Sequence, residues 1–263
     1  KKNKKRKSPS QSPSAAPSQD QINHLLGHYQ AGRLEEAKAL ATLLTQQFAN
    51  HPFGWKVLGV VLKQTGRLAE SLEPMQIAAT LSQQDAEAHN NLGITLYELE
   101  RFGAAEASYR QAIALKPDYA DAHNNLGVTL KELGRFDEAE TSYGQAITLK
   151  PDYAEAHNNL GVILNELGRL DEAEASYGQA IALKPDYAEA HNNLGIALNE
   201  LRRFDEAETS YGQAIALKPD YAEAHNNLGA TLNELGRYSK YSLKTSYSQP
   251  MLKIISRELV DLL

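Results

Sequence analysis

The feature that most constrains this chain is a repeat with a period of 34 residues. The string HNNLG begins at His89 and returns four more times at intervals of 34, and the string LKPDYA returns at the same interval. Segment 120–153 matches segment 154–187 at 28 of 34 positions, which chance does not produce. Such copies stack on one another instead of sharing one globular core. The repeat, and not the chain length, therefore decides how the chain is divided into structural units.

The same frame divides most of the chain. Weaker copies precede the strong ones, with Trp55 and Gly66 in their expected places, and the array breaks off halfway through a fifth strong copy. We predict a disordered basic Ser/Pro-rich tail (1–17), followed by a divergent repeat (18–51) and five further repeats (52–85, 86–119, 120–153, 154–187 and 188–221). A partial repeat (222–238) and a divergent C-terminal capping helix (239–263) complete the chain.

Each repeat is predicted to hold two helices. In segment 120–153, leucines recur at helical spacing, Gly134 ends the first helix, and Pro151 ends the second. Acid pairs such as Asp118 with Asp121 are expected to cap the first helices as capping boxes. One hairpin of this size buries too little apolar area to offset its chain entropy, so stability must come from stacking.

These residues resemble the tetratricopeptide repeat. Its pattern of bulky, Leu-Gly, Leu or aromatic, Ala, aromatic, Ala and Pro positions is filled by His123, Leu126, Gly127, Leu130, Ala139, Tyr143, Ala146 and Pro151. The resemblance implies an all-α fold, a right-handed superhelical solenoid of stacked helix-turn-helix repeats. Gly127 and Ala139 are expected where helices approach closely, and Tyr143 in the core. The Asn-rich repeats look most like those of O-linked N-acetylglucosamine transferases and related bacterial proteins, in which a catalytic domain follows; none follows in this sequence.

Asparagine doublets recur on every first helix, which lines the concave groove in this family. The first asparagines are Asn90, Asn124, Asn158, Asn192 and Asn226, and the second asparagines are Asn91, Asn125, Asn159, Asn193 and Asn227. A carboxamide both donates and accepts hydrogen bonds. In the transferases, the Asn before the Leu binds the main chain of an extended peptide, and the resemblance gives this role to the second asparagines. Alternatively, the amides bond between adjacent repeats and hold the stack; both roles can coexist.

Acidic residues mark the ends of the same helices. We predict that Glu132, Glu166 and Glu200 belong to the binding surface, because a helix C-terminus does not favour an acid. They would form an acidic inner surface or pair with an arginine such as Arg135. Acids at the helix starts are interpreted as compensating the helix dipole. The Lys/Arg clamp with which some tetratricopeptide domains bind acidic chaperone tails is missing, so we expect protein or extended-peptide partners that are neutral or basic.

Other chemistry is not expected. The periodic histidines, such as His123, and tyrosines, such as Tyr143, occupy packing positions, so we predict no catalytic residue, no metal and no cofactor. The first 20 residues carry six basic residues and one acid, which leaves −11 on the remainder of a chain whose total is −6. An acidic body argues against specific nucleic-acid binding. With no cysteine and no apolar run of about 18 residues, we expect a cytoplasmic protein without a membrane span.

The sequence favours a non-catalytic scaffold that binds protein or peptide in the groove. A second hypothesis is the targeting half of a glycosyltransferase-like enzyme that lacks its catalytic domain. A third is self-association through the repeat ends. We expect the apolar stripe of Leu252, Ile255, Leu259 and Leu262 to cap the last repeat.

Overall fold

A computed structural model describes residues 16–236. This part of the chain contains α-helices and no strand, which confirms the predicted all-α helical repeat fold. Almost all of the predicted tail, and the whole capping helix 239–263, lie outside the described residues. The helices are α1 (Gln19–Gln30), α2 (Leu34–Gln47), α3 (Pro52–Gln64), α4 (Leu68–Leu81), α5 (Ala86–Glu98), α6 (Phe102–Leu115), α7 (Ala120–Glu132), α8 (Phe136–Leu149), α9 (Ala154–Glu166), α10 (Leu170–Leu183), α11 (Ala188–Glu200), α12 (Phe204–Leu217) and α13 (Ala222–Glu234).

The chain divides into two compact units, residues 1–149 and 150–263. In unit 1, α1 to α8 form four hairpins, and each helix packs against its neighbours in the chain. In unit 2, α9 to α12 form two hairpins, and α13 packs on α12. The first helices of successive repeats also touch, α5 with α7 in unit 1 and α11 with both α9 and α13 in unit 2. Side chains on these helices can therefore bond from one repeat to the next.

Glycine lies where the two helices of a hairpin approach most closely. A Cβ on Gly127 would stand 2.6 Å from Cε1 of Tyr143, and one on Gly161 would stand 2.6 Å from the same atom of Tyr177. Both tyrosines are almost fully buried, at 1% and 2% exposure. The predicted close approach at Gly127 and the core role of the tyrosines are confirmed. The ring fills the space that the glycine leaves, and the same Gly–Tyr contact recurs in the four hairpins from α5–α6 to α11–α12.

The predicted capping boxes are wrong for α7, α9 and α11. These helices begin after Tyr119, Tyr153 and Tyr187, and no side chain caps them. The KPDY turn places Asp118 one residue too early, because the Tyr119 N–H already bonds to the Lys116 carbonyl at 3.1 Å.

The periodic histidines hold the turns that lead into these helices. His123 Nε2 donates to the Pro117 carbonyl at 3.0 Å, and the same bond recurs in unit 2 at His157, His191 and His225. Each of these rings reaches from the first turn of its helix back to the preceding loop. This bond gives these four histidines a structural role at the turn, whereas Nε2 of His89 is buried without a hydrogen-bond partner among the described residues.

Candidate binding surface

The asparagine doublets bond from one repeat to the next. In unit 1, Asn125 Nδ2 donates to Asn90 Oδ1 at 3.2 Å. In unit 2, Asn193 donates to Asn158 at 3.0 Å and Asn227 donates to Asn192 at 3.1 Å. Each bond joins residues 35 positions apart, so the second asparagine of one repeat holds the first asparagine of the repeat before it. These are the inter-repeat bonds that the structural hypothesis for the amides requires.

The two members of a doublet differ in exposure. The first asparagines Asn90, Asn124, Asn158 and Asn192 are buried, and Asn226 is exposed. Asn192 also donates its Nδ2 to Glu223 at 3.2 Å, so both ends of its amide are engaged. The second asparagines are all partly exposed. Since a carboxamide has two N–H groups, Asn125, Asn193 and Asn227 each retain one N–H and the side-chain oxygen after making the inter-repeat bond.

The acids at the ends of the first helices are compensated in unit 1. Lys63 Nζ lies 2.7 Å from Glu98 in the following repeat, and Lys131 Nζ lies 3.5 Å from Glu132. Both carboxylates are therefore next to an ammonium group.

The corresponding acids in unit 2 have a neutral neighbour instead. Asn165 stands in the place that Lys63 and Lys131 occupy in their repeats, and its Nδ2 donates to Glu200 at 3.4 Å. Among the described residues of unit 2, no lysine or arginine pairs with Glu166, Glu200 or Glu234. Unit 1 thus has a lysine at this position in two of its repeats, whereas unit 2 has a neutral asparagine there.

Arginine does not compensate these acids. Arg135 Nη1 lies 2.8 Å from Glu106, and its Nη2 lies 2.6 Å from Glu138, so the interpretation that Arg135 pairs with an acid such as Glu132 is wrong. Arg203 in unit 2 repeats the arrangement with Glu174 at 2.5 Å and Glu206 at 2.7 Å. The turn places this arginine beside the start of the second helix, within reach of two second-helix carboxylates. Each of these arginines links the second helices of two successive repeats and does not pair with the acids at the ends of the first helices.

The acids at the starts of the first helices contact the turn of the same repeat. Lys184 Nζ lies 3.4 Å from Glu155 and 4.6 Å from the centre of the Tyr187 ring. Burial, with Glu155 and Glu189 nearby, raises the pKa of Tyr187 to about 12. Lys218 repeats both contacts one repeat later, with Glu189 and Tyr221. These acids are paired with a lysine, unlike the acids at the helix ends of unit 2.

Asn165 and Asn199, which occupy one position of successive repeats, were not identified from the sequence. Aligning the repeats would have found them, since Lys63, Tyr97 and Lys131 precede them at the same position. Within residues 16–236, no three or more His, Cys, Asp or Glu side chains are grouped to hold a metal ion. No helix in that range combines the length and apolar character needed to cross a bilayer.

Solved structures with the same fold include three of interest. A chain of the APC/C hetero-tetramer Cut9–Hcn1 aligns with a TM-score of 0.68 at 19% identity, and the match covers 81% of this chain and 42% of that one. YrrB, described as a TPR protein with an unusual peptide-binding site, gives 0.57 and 22%, covering 71% and 96%. TTC0263, a thermophilic TPR protein of Thermus thermophilus, gives 0.55 and 28%, covering 67% and 96%. The chain thus spans less than half of the Cut9–Hcn1 chain and nearly all of the other two.

Family models identify the repeats directly. No curated protein sequence matches the chain significantly. One tetratricopeptide repeat model matches residues 128–188 and 166–209, and a second TPR model matches residues 95–134 and 197–236. Together the two models extend over more than half of the 263 residues. The chain belongs to the tetratricopeptide repeat family, whose members bind proteins and peptides.

Proposed function

We propose that this protein is a non-catalytic scaffold that binds extended protein segments through its second asparagines. The observation that carries the proposal is the inter-repeat bond, such as Asn193 to Asn158 at 3.0 Å, which fixes the partly exposed amides of Asn125, Asn193 and Asn227 in one orientation. The remaining N–H and oxygen can bond to a peptide N–H and C=O whatever its side chains are. An amide that is already held loses little entropy when a partner binds.

The charge of the surface favours a neutral or basic partner. Glu200 is bonded by the neutral Asn165, whereas Glu98 in unit 1 is paired with Lys63. No neighbouring lysine or arginine among the described residues of unit 2 therefore balances the negative charge of Glu166 and Glu200. An acidic segment beside them would be repelled. A lysine or arginine on the partner would supply the missing cation.

Replacing Asn125, Asn159 and Asn193 together by Ala tests the role of the amides. Fluorescence anisotropy with extended neutral, basic and acidic peptides of equal length should show the tightest binding for the basic peptide. The triple variant should bind it several-fold more weakly, while its circular dichroism stays that of the wild type. Unchanged affinity, or a loss that only follows unfolding, would assign the amides to the stack alone.

Replacing Asn165 by Lys tests the charge preference. The new ammonium should reach Glu200, as Lys63 reaches Glu98, and binding of the basic peptide should weaken while that of the neutral peptide stays constant. Asn165→Gln, which keeps the amide neutral, is the matched control. Equal affinity of both variants for the basic peptide would contradict the charge argument.

The other hypotheses have less support. Neither the family models nor the three structures above support a glycosyltransferase half, and the resemblance to those enzymes remains a prediction. A cytoplasmic location and self-association through the repeat ends also remain predictions.

A further inference from the structure

Each first helix of unit 2 carries the same three kinds of side chain along one face. In α11, Asn193 is followed three residues later by Ile196, and Ile196 is followed four residues later by Glu200. Residues at these spacings lie next to each other on a helix surface. Asn193 and Ile196 are partly exposed and Glu200 is exposed, so a partner can reach all three. We call this face the first-helix strip; its other copies are Asn159, Val162 and Glu166 in α9, and Asn227, Ala230 and Glu234 in α13.

The strip matches a lysine whose main chain is held by the amide. From Asn193 to Glu200 the helix rises about 10.5 Å. A lysine has a stem of four carbons, about 6 Å long, which can lie on apolar surface while the ammonium stays in water. Side chains on a helix lean toward its N-terminus, so Glu200 extends back toward that ammonium. A lysine whose main chain bonds to Asn193 therefore places its stem on Ile196 and its charge beside Glu200.

Neighbouring strips are separated by the distance between touching helices. Helix α11 contacts both α9 and α13, and packed helices lie about 8–10 Å apart. Asn165, which precedes Glu166 in α9, donates to Glu200 in α11 at 3.4 Å, so the ends of these two strips lie side by side. One bound chain that crosses the strips must therefore present a lysine about every 9 Å.

A polyproline II helix has this spacing. It has three residues per turn and rises about 3.1 Å per residue, so every third side chain points the same way after about 9.3 Å. A β-strand returns to the same face after two residues, about 6.6 Å, which is too short. An α-helix bonds its own N–H and C=O groups to each other and offers none to the asparagines. The main chain of a polyproline II helix has no internal hydrogen bonds, so both groups remain available.

We propose that unit 2 binds a polyproline II segment that carries a lysine at every third residue, one lysine for each first-helix strip. This rests on the proposed function, which assigns the second asparagines to a partner's main chain, and it adds the partner's conformation and spacing. The strips of α9, α11 and α13 correspond to lysines at positions i, i+3 and i+6. Prolines between the lysines favour binding, because their fixed φ reduces the entropy that the segment loses.

Fluorescence anisotropy of the full chain with two labelled peptides tests the spacing. The peptides have the same length and composition, with lysines among prolines and alanines. One has its lysines at i, i+3 and i+6, and the other has them at i, i+2 and i+4. The first peptide should bind several-fold more tightly, because its lysines alone face the strips together. Net charge is equal in the two peptides, so a general attraction of cations to an acidic protein predicts equal affinities.

Replacing Glu200 by Gln tests the middle strip. The variant keeps the shape of the side chain and loses its charge, so the first peptide should bind several-fold more weakly and the second should change less. Asp171→Asn is the matched control, because it removes one exposed charge from α10, outside the strips, and should leave both affinities unchanged. Circular dichroism verifies that each variant folds.

The outcomes separate this inference from the proposed function. Equal affinity for the two peptides, or an equal loss for both in Glu200→Gln, overturns the inference alone. Weaker binding by the variant with Asn125, Asn159 and Asn193 replaced by Ala would then still support the proposed function. Absence of binding by either peptide overturns the inference together with the preference for basic segments.

Discussion

Asn165 carries a buried side-chain oxygen with no hydrogen-bond partner among the described residues. One repeat later, the same atom of Asn199 accepts a bond from Thr231 Oγ1 at 3.1 Å. The residue that corresponds to Thr231 one repeat earlier is Ala197, which has no hydroxyl. The oxygen of Asn165 thus lacks a partner because of a single side chain in the next repeat.

Replacing Ala197 by Thr should therefore stabilise the protein. One added hydrogen bond to a buried acceptor is worth about 1 kcal/mol, and Thr129 and Ile163 show that a buried branched side chain fits this position. Urea unfolding would measure the gain in free energy of unfolding. Ala197→Val has the same shape without the hydroxyl, so equal stability of the two variants would contradict this explanation.

Two turns hold a side chain where the others hold glycine. Glu100 and Arg202 have φ of 57° and 60°, close to the 71° of Gly134 at the same position of its repeat. A side chain in this region costs about 1–2 kcal/mol, and glycine loses up to about 1 kcal/mol more backbone entropy on folding. Glu100→Gly should raise the melting temperature in calorimetry, and Gly134→Ala should lower it. A lower melting temperature for Glu100→Gly would show that its side chain makes a compensating contact.

At this scale the sequence predicted residues that pack, and it gave bonding between repeats as one of two roles for the asparagine doublets. It missed the bonds that Asn165 and Asn199 make to the next repeat. Gly127 and Tyr143 could be assigned from spacing alone. The dependence of the Asn165 oxygen on residue 197 could not be assigned in this way. It follows from the register between two helices that are not adjacent in the sequence.

Among the helices, glycine has opposite roles at two positions of one repeat. Gly161 in α9 faces the Tyr177 ring at 2.6 Å, whereas nothing stands within 4 Å of a Cβ built on Gly178 in α10. Gly161→Ala should lower the free energy of unfolding by about 1–3 kcal/mol through overpacking. Gly178→Ala should raise it by about 0.5–1 kcal/mol, since Ala is the better helix former. The two variants control each other in urea unfolding, and changes of the same sign would contradict the assigned roles.

Helix periodicity and turn residues were sufficient to predict the two helices of segment 120–153. The helix caps were predicted wrongly, because a shift of one residue decides whether Asp118 can reach the first N–H groups. The KPDY turn sets that shift through a backbone hydrogen bond, for which the sequence pattern has no separate signal.

At the scale of the whole molecule, the fold followed from the period of 34. The candidate surface followed only in part. The sequence placed both asparagines of each doublet on it, whereas the structure buries first asparagines such as Asn192 and leaves second asparagines such as Asn193 partly exposed. The two asparagines of a doublet are the same residue type at adjacent positions. The sequence therefore could not show which of them is buried without the rotation of the helix about its own axis.

Partly buried tyrosines should make the protein sensitive to alkali. Burial, with glutamates nearby, raises the pKa of Tyr187 and Tyr221 to about 12, above the unfolded value of about 10. The unfolded chain thus loses these protons first, so their stabilising contribution is complete below about pH 10 and is lost as the pH rises toward 12. Phenolate absorbance and circular dichroism, followed together, should change over this window. Full ionisation of the tyrosines at about pH 10 in a folded protein would contradict the burial.

The bonds between repeats also bear on how such a chain can change over evolution. Asn193 and Asn227 each bond 35 residues back, and Arg135 and Arg203 each bond 29 residues back. Gaining or losing one whole 34-residue copy within the array re-creates every one of these pairs at the new junction. Gaining or losing a single residue inside a helix breaks them on both sides. Unequal recombination between near-identical copies of the coding sequence can therefore alter the number of repeats, and with it the length of partner bound, without passing through an unfolded intermediate protein.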